Sequence, residues 1–188
     1  MNIYSDILSE LNGFISASLA PYAAIPAESL RLFGLSSSYY VQEETTAPMV
    51  NLDGELSYIY NLDYPLIGYH KMVDSALLLD TKKSVGDKKA IASKAEMQLV
   101  LIGYRTQFNT EPETIALDLS GKLFDVHIEA DKIKGYVTSN RFSTDQLVIL
   151  KSELQGLEYS SKYNSPDFFT IKINYSLILE FYSNCLTC

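Results

Sequence analysis

The sequence predicts an α+β fold, with a mixed or antiparallel sheet of about four to six strands, an N-terminal helix and a second helix packed on it. Three observations predict this. Ile3, Ile7, Leu8, Leu11, Phe14, Ile15 and Leu19 recur at helical spacing. The stretch from Glu96 to Arg105 carries apolar side chains on both faces of a period-two pattern, as a central strand covered on two sides does. From Phe168 to Phe181, Phe169, Ile171, Ile173, Tyr175 and Leu177 alternate with Thr170, Lys172, Asn174 and Ser176, which marks a long, half-buried final strand.

The chain has 188 residues, which suits one domain with a sizeable core. Expected within it are an amphipathic helix over 1–20, an extended connection or arm over 21–54, an α/β core over 55–182 and a tail over 183–188. At 47% hydrophobic and 20% charged residues, burial can offset the ordering entropy of the chain. The formal charge of -8 repels a phosphate backbone at long range and argues against a general nucleic-acid binder. An acidic lining that nucleic acid slides past stays compatible with it.

In chain order, Pro21 and Pro26 close the first helix, whose acidic polar face is unsuited to a membrane surface. The segment 21–54 reads as irregular, with a short helical turn over 28–32 and an acidic run at Glu43 and Glu44. Leu56, Tyr58, Tyr60, Leu62 and Tyr64 alternate with polar residues as a strand does, until Pro65 interrupts. Leu66 to Tyr69 then continues that strand past a bulge or begins a neighbour. Ser75 to Thr81 reads as another strand, paired with the central one through the connection 82–94.

That connection holds Lys82, Lys83, Lys88, Lys89 and Lys94, the most basic stretch in an acidic chain, with Gly86 and Asp87 at a hairpin tip. These five lysines are the candidate interface: either an arm that grips an acidic neighbour, or a solvated hairpin whose charges discourage edge pairing. After the central strand, Thr110 and Glu113 have capping-box spacing and Pro112 suits an early helical position. The helix that follows should bury Ile115, Leu119 and Leu123 and expose an Asp118–Lys122 pair. The segments 126–128 and 136–138 fit either two short strands or one irregular connection. Over 145–157 the run Leu147-Val148-Ile149-Leu150 favours a strand, against capping-box spacing of Ser143 with Gln146.

Chemistry is sparse in the pattern. His70 and His127 are the two imidazoles, and neither has a metal-ligand partner at i+3 or i+4, so both read as ordinary polar residues. Cys185 and Cys188 have C-x-x-C spacing, but a zinc site needs two more ligands and a redox pair needs a helix N-terminus. Glu43 with Glu44, and Asp53 with Glu55, fall in expected loops where carboxylates stay hydrated. No nucleotide-binding, hydrolase or metalloprotease motif is present. The expectation is a protein that is no enzyme, with no cofactor and no metal. The start of the chain lacks a signal-peptide pattern and no segment is apolar enough to span a bilayer, so cytoplasmic synthesis is expected.

The order of elements resembles that of the tail terminator and tail-completion proteins of long-tailed bacteriophages. The likeness is carried by the stretch from Tyr64 to Tyr69, the hairpin around Gly86 and Asp87, the central strand with its helix from Glu111, and the final strand. It covers roughly residues 1–182, and the long segment 21–54 departs from compact members. The resemblance implies a virion protein made in the host bacterial cytoplasm. It would form a homo-oligomeric, hexameric ring at the head-proximal end of a tail, ending tube assembly. Its partners would be the tail tube protein and the head connector protein, with DNA only as passing cargo and no membrane. The alternative is a bacterial small-ligand or protein-binding module, with a pocket lined by Tyr58 and Tyr60. A hydrolase or transferase would instead set His70 or His127 in a cleft beside a carboxylate.

Overall fold

The first helix, α1 (Ile3–Leu19), covers the residues its pattern predicts, and Ile7, Leu8, Leu11, Ile15 and Leu19 are buried. The computed structural model describes residues 3–26, 29–36, 38–42, 45–52, 55–58, 64–85, 88–124, 126–130, 133–153 and 163–182. Pro21 ends α1 in a short 3-10 turn, Ala20–Tyr22.

Four strands follow: β1 (Leu30–Leu35), β2 (Ser38–Gln42), β3 (Thr45–Leu52) and β4 (Glu55–Tyr58). Over its described residues the segment 21–54 is therefore largely strand rather than an irregular connection, and β1 takes Leu30 to Leu32 of the helical turn expected over 28–32. In β1 the buried positions, Leu30 and Phe33, are three apart, so its sequence shows no alternation. β2, β3 and β4 form a separate antiparallel meander.

The expected strands at 66–69 and 75–81 are one, β5 (Leu66–Val85), which returns as β6 (Lys88–Tyr104). A bulge between Met72 and Asp74 inserts Val73 and flips the alternation, which is why the sequence reads as two segments. The "connection" 82–94 is thus largely strand. Next come α2 (Pro112–Leu123), β7 (Val126–Ala130), β8 (Ile133–Ser143), α3 (Gln146–Glu153) and β9 (Phe168–Tyr182). The segments around 126–128 and 136–138 are two strands. The main sheet has the order β1-β5-β6-β9-β8-β7, and its one parallel pair is β1 with β5.

Cross-strand register sorts the core into two layers. Leu99 pairs with Ile173 and Leu101 with Ile171, and these pack with α1 and with Ile115, Ala116, Leu119 and Leu123 of α2. On the other face Val100 and Ile102 join Ile67, Tyr69, Phe33, Val50 of β3 and Ile149 and Leu150 of α3. The central strand is covered on both sides as its composition demands. Gly103 allows the layer under α1 and α2 to close, since a Cβ there would lie 2.8 Å from the Phe169 ring.

Two local expectations are corrected. Residues 146–153 are helix, not strand: Asp145 Oδ1 accepts the Val148 amide at 3.0 Å as an N-cap, and the tertiary burial of Ile149 and Leu150 overrides their β preference. Residues 154–157 of that expectation lie outside the described residues. At α2 the Thr110–Glu113 capping box does not form. Glu111 is the N-cap with no side-chain cap bond, and Glu113 instead accepts from the Thr144 hydroxyl at 3.1 Å. The Asp118–Lys122 pair is present at 2.7 Å.

Candidate functional site

β1 pairs with β5 from Leu30↔Leu66 to Leu35↔His70 and then leaves the sheet. From Lys71 to Val85 the outer edge of β5 faces no strand among the described residues. Its side chains Val73, Asp74, Ser75 and Ala76 are all exposed, with Val73 at 58%. Lys82 and Lys83 lie at the end of β5 and Lys88 and Lys89 at the start of β6, and the pair Val85↔Lys88 brings the two ends of the hairpin together. Gly86 and Asp87 lie outside the described residues. Lys94 stands apart, one face along β6, where it donates to Glu96 at 2.8 Å. That contact, with the Ser176 hydroxyl, holds Glu96 below its ordinary value. Four of the five predicted lysine positions therefore converge at one end of the hairpin, and the fifth belongs to a neutral surface pair.

His70 is not in a cleft. It is fully buried between α1 and β9, with Nε2 2.8 Å from Asn12 Oδ1 and Nδ1 2.7 Å from the Tyr175 hydroxyl. Asn12 Nδ2 donates to the carbonyl of Phe33 at 3.1 Å, which fixes the amide with Oδ1 toward the ring. Nε2 therefore carries the proton and Nδ1 accepts from Tyr175. Burial pushes the imidazole down to about 3 and the Tyr175 phenol upward. A ring so enclosed ties α1 to the sheet and takes no part in exchange with solvent. His127 is exposed and meets Tyr136 edge-on at 4.9 Å.

A polar cluster that the sequence did not signal sits on the opposite face. Glu153, at the end of α3, is 2% exposed and accepts from Lys172 at 2.9 Å, from Lys71 at 3.3 Å and from the Tyr69 hydroxyl at 3.3 Å. Burial raises its carboxyl, but the Lys172 hydrogen bond and the Lys71 charge outweigh that and hold it below the ordinary value. Reading 145–157 as a strand hid it. In helical register Ile149, Leu150 and Glu153 share one face.

A cavity of about 560 Å³ opens where β6 gives way to α2. Phe108 and Phe169, edge-to-face at 5.0 Å, line it, with Arg105, Glu111 and Pro112. Arg105 is engaged there, its Nε donating to the Phe168 carbonyl at 3.1 Å and Nη1 lying 3.6 Å from Glu111. The expected tyrosine pocket is not this cavity: Tyr58 lies in β4, and Tyr60 is outside the described residues.

Among the described residues no cluster of His, Cys, Asp and Glu is arranged to hold a metal ion, and no helix is long and apolar enough to cross a membrane. Glu43, Glu44, Asp53, Cys185 and Cys188 lie outside what can be described, and Glu55 is exposed. No protein-family model matches the chain, and no curated protein matches it.

Proposed function

We propose that the chain is a structural virion subunit of a long-tailed bacteriophage, a ring-forming tail terminator or tail-completion protein at the head–tail junction. It ends tube assembly and lets DNA pass. The observation that carries the reading is the β5–β6 hairpin, whose lysine-bearing end projects past the strand that covers its base. A subunit that must hold identical neighbours and a tube end needs a reach beyond its own core, and such a hairpin provides it. The acidic balance of the chain, at -8, suits a channel that DNA crosses without sticking.

The test is the mass of the purified chain by light scattering, alone and with a tail-tube protein. A ring-sized mass, alone or on the tube, supports the proposal. Replacement of Lys82, Lys83, Lys88 and Lys89 by Glu should abolish ring formation. A chain that forms no ring and ignores tube protein sinks it.

The cavity beside α2 favours a second reading, a small-ligand or protein-binding module. Two aromatic side chains, Phe108 and Phe169, lie within its mostly polar lining, where a small polar ligand could stack. Ligand-induced shifts confined to Phe108 and Phe169 in a small-molecule screen by NMR would favour it over the first.

A further inference from the structure

We infer that the free edge of β5 binds a second copy of itself, antiparallel about a two-fold axis at Leu78. An unpaired strand edge presents a row of backbone donors and acceptors, and another extended segment satisfies them. Here the edge that faces no strand among the described residues runs from Lys71, whose side chain is engaged with Glu153, to Val85. β5 remains extended over all of it, although its pairing with β6 is irregular between Asp80 and Val85.

The sequence of this edge selects both occupant and register. Pairs in an antiparallel ladder alternate between hydrogen-bonded and non-hydrogen-bonded types. A strand meeting its own copy about a two-fold axis must therefore set one residue opposite itself. Leu78 is the midpoint of the free edge, so centring there uses its whole length. Asp74 then faces the partner's Lys82 and Lys82 faces the partner's Asp74, two opposite-charge pairs. Ser75 faces the partner's Thr81, Leu77 the partner's Leu79, and Leu78 the partner's Leu78. These are the cross-strand combinations that stabilise a sheet.

Neighbouring registers match less well: centring on Leu79 sets Asp74 opposite the partner's Ser84 and Lys82 opposite the partner's Ala76, with no opposite-charge pair. Centring on Leu77 sets Asp74 against the partner's Asp80 and Lys71 against the partner's Lys83, and centring on Asp80 puts two carboxylates on the axis. Centring on Thr81 matches Asp80 with the partner's Lys82 but leaves the exposed stretch from Val73 to Ala76 uncovered. The contact is isologous and closes as a dimer. It does not rest on the phage reading, in which a ring needs a different, head-to-tail contact.

Sedimentation equilibrium of the isolated chain tests the pairing. The expected result is a dimer. Lys82→Glu should weaken it by about tenfold, because two attractive pairs become repulsive, and adding Asp74→Lys should restore it. Lys83→Glu, opposite the partner's Val73, should leave it nearly unchanged. Matching circular dichroism and urea midpoints will show that the variants fold. A monomer at high concentration, a dimer indifferent to Lys82→Glu, or one not restored by Asp74→Lys overturns the pairing. A ring-sized mass for the isolated chain also overturns it while supporting the proposed function. A dimer that ignores tube protein does the reverse.

Discussion

Replacing His70 with Gln should flatten the acid side of the stability profile. The folded imidazole is held at about 3 against an ordinary 6.5. Between those values the unfolded chain binds a proton that the folded chain does not, so stability rises with pH. The contribution is complete above the unfolded value and is lost as pH falls toward the folded one. Each pH unit below the unfolded value removes about 1.4 kcal/mol, so between about pH 7.5 and about pH 4.5 this one ring takes away about 2.7 kcal/mol. A folded value one unit higher would change that figure little, because it would still lie below the lower pH. The assay is urea unfolding of wild type and His70→Gln at both pH values. Carboxylates such as Glu153 also lose stabilisation in acid, but they are common to both proteins and cancel in the difference. The variant will be less stable at neutral pH, since Tyr175 and Asn12 lose a well-placed partner, yet its decline in acid should be shallower by about 2.5 kcal/mol. Equal declines, or a His70 ring that titrates near its ordinary value by NMR, would refute the network described for it.

Other substitutions probe the two layers. Glu153→Gln should cost about 2 kcal/mol by urea unfolding, less than a fully enclosed pair would, because Lys71 and Lys172 are partly exposed and can rehydrate. Gly103→Ala should destabilise by about 1–3 kcal/mol, because the new methyl meets a Phe169 ring already braced by Phe108. Asp145→Ala removes the cap of α3 and should cost about 1 kcal/mol, with the loss of helix signal confined to that segment in hydrogen exchange.

The elements that the sequence disclosed are those whose apolar period survives intact. α1 was legible from Ile3 to Leu19 because one uninterrupted stripe faces the sheet, and β9 because its odd-numbered residues from Phe169 to Leu179 all enter one layer. What stayed hidden did so for local reasons. The bulge at Val73 inverts the alternation of β5 midway, and another between Ser139 and Arg141 does the same to β8. β1 is set by its parallel partner, with no pattern of its own. α3 exposes Leu147 at 51% and Val148 at 60% while burying Ile149 and Leu150, so its four-residue apolar run has neither a helical nor a strand period. Of the candidate site, the clustering of four lysines was readable from spacing. The free edge beside them was not, because it depends on where β1 stops. The buried partners of His70 come from α1 and β9, far away in sequence, and no local pattern could pair them.

The placement of β9 between β6 and β8 has a consequence for biosynthesis. Among the described strands the last in chain order is an interior one, hydrogen-bonded on both sides from Lys172 to Glu180. Until it leaves the ribosome, the growing chain holds two half-sheets with facing vacant edges, β1-β5-β6 on one side and β8-β7 on the other. Native closure must follow the emergence of β9, and such distant pairing makes folding slow. Chains truncated before Phe168 should therefore collect as insoluble material. In a cell that makes many copies quickly, the interval before closure is when this protein most needs a chaperone.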